Sequence, residues 1–358
     1  MNSNPDYILT PNQSIFDALK NLEKTKLSTC IIVDEKMQIK GSVTDGDIRR
    51  GLLEGLSKDD EVEKVMNKNP MIEKTGTNQD LLREKCLENN INLIPLVDSN
   101  GILNDIFTIN LISNKKVEET NYSADISAFI LAGGEGKRLR PITYSTPKPL
   151  VEVNKKSLLE HNINFLSSYG IKDLFISVHY MADQIIEHTD RLKNNEITLT
   201  YIKEESKLGT AGPLALIENQ SFKHLLVMNA DLLCSFSIDK LINSHIQSQA
   251  AVTSVITERS TQIPFGVIEM DESENIVSVT EKPLIKHFCL AGIYLINKDC
   301  IDRIHKNEYL DMPDFLNKLI EENSKISLFP LIPEFDKWSD IGTMKSLVEA
   351  EKILSSSD

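Results

Sequence analysis

A short apolar run, Ala128 to Leu131, breaks directly into a loop carrying Gly133, Gly134 and Gly136, and this junction limits the folds open to the chain. Glycine lets the backbone approach a ligand because no Cβ stands in the way. Successive N–H groups in such a loop form a concavity that binds anions. Three fixed positive charges follow at Lys137, Arg138 and Arg140, and a further cation, Lys148, sits between Pro147 and Pro149. Read physically, the stretch is a polyphosphate site at the end of a strand. Two other phosphate loops are excluded. A Walker A loop needs a hydroxyl residue after Gly-Lys, where this chain has Arg138. A dinucleotide loop opens a helix, and Pro141 blocks one here. The remaining alternative is a surface loop with solvated charges.

Beyond this junction, strands and helices alternate. Strands are expected at Leu174 to Val178, Thr198 to Ile202 and Leu225 to Asn229. Helices are expected near Leu158 to Tyr169, from Met181, from Ala211 and near Ile238 to His245. Short apolar strands between helices imply an α/β domain whose mostly parallel sheet is covered on both faces. Ligands of such sheets bind beyond the carboxyl ends of the strands, where the glycine loop and Asp231 both fall. A last amphipathic helix is expected over Met344 to Leu354.

The first third of the chain repeats itself. Helix, apolar strand, acidic turn and strand occur around Ser14 to Ile48 and recur around Asn78 to Leu111, the pattern of an internal duplication. The polar, weakly patterned stretch that follows reads as a linker. The expected division is a paired module over 1–115 (about 1–60 and 61–115), a linker over 116–126 and a larger domain over 127–358.

A net charge of −14 argues against a nucleic-acid-binding surface, so cations that handle phosphate must be concentrated locally, as they are at residues 137–148. No apolar stretch reaches membrane-spanning length, and the polar N-terminus is unlike a signal peptide. The five scattered cysteines form no Cys-x-x-Cys pair, which disfavours zinc. They read as buried thiols of a cytoplasmic protein.

Asp231 ends an apolar strand, a common way to hold Mg²⁺ beside a phosphate, since magnesium takes one or two carboxylates and leaves its other positions to water and phosphate oxygens. Asp340 lies in Trp338-Ser-Asp-Ile-Gly-Thr343. Either aspartate alone could be a helix cap. Gly209, Thr210 and Gly212 precede Pro213, a place where a flat base or a phosphate can come close. The plainer reading of that segment is capping by Thr210. His179 and Tyr180 could border a pocket, with a structural role as the plainer alternative.

The run from Leu131 to Pro149 resembles the signature of the sugar-1-phosphate nucleotidylyltransferases, matching at Leu131, Ala132, Gly133, Gly134, Gly136, Arg138, Leu139, Pro141, Thr143, Pro147, Lys148 and Pro149. The resemblance implies a Rossmann-like, GT-A-like nucleotidyltransferase domain that binds a nucleoside triphosphate and a sugar-1-phosphate. It implies Arg138 and Lys148 on the phosphates, Mg²⁺ held jointly by Asp231 and Asp340, and the Gly209–Gly212 segment on base and ribose. Gly266 and Glu281 would contact the sugar, and Lys282 its phosphate. The segment around Gly209 resembles the mannose-1-phosphate guanylyltransferase branch more than the thymidylyl branch, which favours GTP. Uridylyl, adenylyl or cytidylyl transfer stays open.

The N-terminal repeat resembles a CBS domain pair, an α+β module that often binds adenine nucleotides and often self-associates. In the first unit Gly41, Val43, Thr44 and Asp47 match its ribose-phosphate motif. In the second, aligned from Gly101, Phe107 stands where Asp is expected, so that site should be lost. The resemblance implies an adenine or guanine nucleotide at Thr44 and Asp47, or else a purely structural module with Asp47 in a helix cap. A CBS pair before such a domain resembles the glucosamine-1-phosphate guanylyltransferases of legionaminic acid synthesis. That favours an amino- or N-acetylated hexose-1-phosphate as acceptor and a homo-oligomer as the assembly. The competing reading from another class is a non-catalytic, nucleotide-sensing regulatory subunit.

Overall fold

The computed structural model describes residues 5–25, 27–89, 91–109, 125–193, 197–218 and 221–355, with side chains to residue 351. The chain divides into two compact units, Met1–Glu118 and Glu119–Asp358. The stretch expected to be a linker lies almost wholly outside the described residues.

In the first unit the duplication is plain in the pairing. Ile8–Leu9 lies parallel to Thr29–Val33, which pairs antiparallel with Ile39–Thr44. Glu73–Lys74, Leu93–Val97 and Leu103–Thr108 repeat this arrangement. Even the register slip recurs, between Ile32 and Val33 in one half and between Leu96 and Val97 in the other. The halves share a core in which Ile8, Ile31 and Val33 pack with Leu93 and Leu103.

This register corrects the alignment expected from sequence. Thr44 stands opposite Thr29, and Thr108 stands opposite Leu93 in the same way. The counterpart of Thr44 is therefore Thr108, and Phe107 is the counterpart of buried Val43. The counterpart of Asp47 would be residue 111, outside the described residues. Counting from the turn glycine misplaced the motif by four positions.

In the second unit seven strands form one sheet, ordered Thr198–Lys203, Asp173–Val178, Ile126–Leu131, His224–Asn229, Leu284–Asn297, Val252–Gln262 and Ile326–Pro330. Only Leu284–Asn297 runs antiparallel to its neighbours, so the sheet is mixed and mostly parallel, as expected. Ile126–Leu131 shows why such strands need cover on both sides. Ile126, Ala128 and Ile130 enter one core, and Phe129 enters the other. Ser157 and Ser237 cap the helices Leu158–Ser168 and Ile238–Ser248 by accepting from the Glu160 and Lys240 N–H groups.

The chain winds outward from Ile126–Leu131 to Thr198–Lys203, then returns to place His224–Asn229 on the other side of the first strand. That reversal opens a crevice beyond the strand ends, the usual ligand position in such sheets. The helix expected from Ala211 is instead a short 3-10 helix, Gly212–Leu216, with Pro213 near its start. Cys289 is exposed and Cys234 only partly buried, which corrects the expectation of uniformly buried thiols. Among the described residues no helix is long and apolar enough to cross a membrane.

Candidate active site

The crevice is a cavity of about 340 Å³. Leu131, Ala132, Gly133 and Gly134 line it from one strand end, Asn229, Ala230 and Asp231 from the next, and Lys148, Gly209 and Thr210 from the facing loops. The expected phosphate loop and the expected base segment thus share one cavity.

Asp231 and Asp340 are brought together by a two-stranded ribbon. Leu232–Ser235 pairs antiparallel with Lys337–Asp340, with Leu232 opposite Asp340. The Ile341 N–H donates to the Asp231 carbonyl at 3.0 Å. The buried Asn162 amide donates to the Ala230 carbonyl at 3.1 Å and holds the preceding turn. Trp338 anchors the second strand by donating its indole N–H to the Ala291 carbonyl at 2.8 Å.

Lys148, 9% exposed, points at this pair. It forms an ion pair with Asp231 Oδ2, and its ammonium lies 3.9 Å from Asp340 Oδ1. The second oxygen of Asp231 and the same Oδ1 of Asp340 are buried without a hydrogen-bond partner. Burial raises the Asp340 pKa, and Asp231 raises it further, with Lys148, Arg138 and Arg259 opposing. One oxygen of each carboxylate is therefore left without a donor from the protein. Two carboxylate oxygens without partners, on aspartates joined through one ribbon, fit a hard divalent cation that takes one or two protein carboxylates. No group of three or more metal-ligating side chains exists among the described residues, so the remaining positions would fall to water and phosphate.

Arg138 reaches the same place from the glycine loop. A Cβ at Gly342 would fall 3.1 Å from its guanidinium, so the chain after Asp340 must be bare for the arginine to lie against it. Gly136 serves differently and does not line the cavity. Its φ is +63°, and a Cβ there would stand 2.8 Å from Lys148 Cβ. Gly136→Ala is therefore expected to cost about 1–2 kcal/mol from the left-handed backbone alone, and to displace Lys148. Thermal melting and turnover of the variant check both; an unchanged melting temperature would contradict the packing.

Thr210 does cap a helix, but one a hundred residues away. Its hydroxyl accepts from the Met312 N–H at 2.7 Å, and its N–H donates to Asp311 Oδ1 at 3.1 Å. Gly209 (φ +81°) lies against the Leu310 carbonyl, which would be 2.5 Å from a Cβ. Gly212 is buried under the Glu308 carbonyl and does not line the cavity.

Gly266, Glu281 and Lys282 are not brought to the cavity wall. They sit on an exposed ribbon, Gly266–Met270 paired with Ile276–Glu281, which extends the long strands of the sheet. Lys282 adopts φ +48° and pairs with Glu281 at 3.5 Å. His179 lines the cavity and Tyr180 does not. Sequence reasoning missed Glu204, Lys207, Asn229, Tyr309 and Asp311, which also line it. Asn229 and Glu204 carried a signal, as polar residues at or just after the end of a parallel strand; Tyr309 and Asp311 carried none.

In the first unit Thr44 and Asp47 are engaged with each other. The Thr44 hydroxyl donates to Asp47 Oδ2 at 2.7 Å, and the Asp47 N–H donates back to Thr44 Oγ1 at 3.2 Å. Asp47 also pairs with Arg50. This is a capping box opening the helix Asp45–Leu53. Thr44→Ala is expected to cost this unit about 1 kcal/mol, read by denaturant unfolding; no loss would mean the box contributes nothing.

Residues 127–357 match the nucleotidyl transferase family, and residues 1–54 match the CBS domain. The mannose-1-phosphate guanylyltransferase catalytic subunit beta of Drosophila melanogaster is 37% identical over 183 residues, 49% of this chain and 50% of that protein. The mannose-1-phosphate guanyltransferase of Debaryomyces hansenii is 31% identical over 232 residues, 62% of this chain and 63% of that protein. The chain thus spans between half and 63% of the length of these relatives. The crystal structure of HddC from Yersinia pseudotuberculosis superposes with a TM-score of 0.51 at 22% identity, covering 64% of this chain and 99% of that one, a likeness of fold.

Proposed function

Because the chain belongs to the nucleotidyl transferase family, we propose that its second unit transfers a nucleoside monophosphate from a nucleoside triphosphate to a hexose-1-phosphate, releasing pyrophosphate. The observation that carries this reading is the meeting of Lys148, Asp231 and Asp340 at the mouth of the glycine loop. GTP is the favoured donor, because the relatives above are named as guanylyltransferases. The favoured acceptor is glucosamine-1-phosphate or an N-acetylated relative, on the CBS-plus-transferase architecture alone; a place in legionaminic acid synthesis rests on the same ground.

The attacking sugar-phosphate oxygen is already an anion at neutral pH, so no general base is needed. Its obstacle is repulsion by the triphosphate, and the work of the site is placement and charge neutralisation. Backbone N–H groups around Gly133 and Gly134 cradle the phosphates. Lys148 stabilises the α-phosphate, and Arg138 the departing pyrophosphate. Asp231 and Asp340 would hold Mg²⁺, which supplies neutralisation of phosphoryl oxygens when bound. Gly266, Glu281 and Lys282 serve the sugar side, with Lys282 on its phosphate. In the first unit, the closed capping box favours a scaffold and self-association role over nucleotide binding at Thr44 and Asp47.

The test is pyrophosphate release with Mg²⁺, crossing GTP, UTP, ATP, CTP and dTTP with glucosamine-, N-acetylglucosamine-, glucose- and mannose-1-phosphate. Turnover with GTP is expected. Folded protein that turns over no pair would favour the non-catalytic, nucleotide-sensing alternative.

A further inference from the structure

The strand that ends in Asp340 has an arginine near each end of its approach to that aspartate. Arg138 comes from the glycine loop and lies against Gly342, after Asp340. Arg259 comes from the long strand Val252–Gln262 and sets its guanidinium over the ring of Trp338, before Asp340, at 5.1 Å from the centroid. It is close enough to help hold Asp340 ionised. Yet its side chain forms no ion pair or hydrogen bond among the described residues. On the two strands that carry it, its face holds no acid. His287 stands directly opposite, and Thr257, Thr261, Ile285 and Cys289 flank the pair. The neighbouring carboxylate, Glu258, belongs to the other face and is paired with Lys286 at 3.0 Å. A guanidinium braced on an indole keeps its planar fork of donors free for an anion, and here the described residues supply none.

We infer that Arg259 receives the phosphate group of the sugar-1-phosphate acceptor. The assignment rests on the nucleotidyl-transfer reading above and adds a residue on the acceptor side. In that reaction a phosphate oxygen of the acceptor bonds to the α-phosphorus. The bond from that phosphorus to the bridging oxygen breaks, and pyrophosphate leaves with the electron pair. In-line transfer keeps the attacking and leaving oxygens on opposite sides of the phosphorus. The glycine loop and Arg138 serve the departing pyrophosphate, so the acceptor must arrive from the other side. Along the strand Lys337–Asp340 that other side is the Trp338 end, where Arg259 stands. The acceptor is an anion approaching two carboxylates, and a cation beside Asp340 lowers the repulsion. A guanidinium can also offer a phosphate two parallel N–H donors. Trp338, itself held by the Ala291 carbonyl, fixes the plane of that fork.

The substitution that tests this is Arg259→Met, which keeps an apolar stem against the indole and removes the charge and the donors. The side chain is exposed, so folding should survive, as melting would register. In the variant the KM for the sugar-1-phosphate should rise by about 10- to 100-fold, the loss of a hydrogen-bonded charged contact. The KM for the triphosphate and the Mg²⁺ midpoint should stay near wild type. Arg259→Lys, which keeps the charge without the fork, should fall between the two. Trp338 is the only tryptophan of the chain, so its emission gives a second readout. With Mg²⁺ and a non-hydrolysable analogue of the triphosphate that turns over, the sugar-1-phosphate that turns over should change the emission of wild type. The corresponding free sugar should not, and in Arg259→Met the change should need a correspondingly higher sugar-phosphate concentration. A sugar-phosphate KM unchanged in Arg259→Met overturns this assignment and leaves nucleotidyl transfer standing. So does wild-type emission that stays constant under those conditions, and so does a shifted Mg²⁺ midpoint with the sugar KM unmoved, which would give Arg259 to Asp340 instead. Folded wild type that turns over no pair overturns both.

Discussion

Lys148→Ala is expected to lower kcat by about 10²–10³, the usual consequence of deleting one preorganised charge that acts on the transition state. The placement of this lysine explains the size of the effect. It opens a 3-10 turn between two prolines, its stem packs on Gly136, and its ammonium is held between two carboxylates. A side chain so constrained loses little freedom when a phosphate arrives. The same deletion should weaken the metal-free protein. Without the cation, Asp231 and Asp340 face each other, and the pKa of Asp340 is already raised by burial and by Asp231. Asp340 keeps 40% of its side chain exposed, so solvent screens the repulsion and the cost should be about 1–2 kcal/mol, well short of that for a fully buried pair. Added Mg²⁺ should recover part of that stability but not the activity. Melting with and without Mg²⁺, alongside pyrophosphate release, separates the two effects. Near-full turnover by the folded variant would remove Lys148 from the mechanism.

Asp231→Asn is expected to cost about 10²–10³ in turnover as well, with a different signature. The variant keeps the shape of the site. The Asp231 carbonyl that accepts from Ile341 is untouched, and the ribbon pairing does not involve the side chain. What disappears is one of the two carboxylates with a buried, unpartnered oxygen. Melting of the metal-free variant should therefore stay close to wild type, because Lys148 retains Asp340 at 3.9 Å. Stabilisation by Mg²⁺ should shift to much higher metal concentration, as expected when the folded state loses a ligand it alone provides. A Mg²⁺ titration midpoint equal to that of wild type would show that Asp231 does not hold the ion.

Much of the site was legible because its signals are local. The glycine loop, Arg138 and Lys148 lie within sixteen residues, and alternating strands and helices imply the edge on which they fall. Asp231 was legible as an acid closing a strand. Other readings failed where the answer depended on distant pairing. Thr210 looked like a cap for its own helix, yet it caps Met312–Glu321. Phe107 looked like the wreck of a ribose-binding position, yet strand register makes it an ordinary core residue.

The sequence by itself determined the two-part organisation of the chain, the alternating class of its larger unit and the place of its glycine loop at the end of a strand. Each depends on periodicity, glycine placement and charge within a short span, where backbone sterics decide the outcome with little help from the rest of the molecule. Only the tertiary structure decided which carboxylates face Lys148, that Glu204 is walled into the cavity, and that Asp311 reaches Thr210. Those contacts join segments from dozens to two hundred residues apart, through strand order and register. A shift of one residue in a strand turns every side chain to the opposite face, so no local pattern could have specified them.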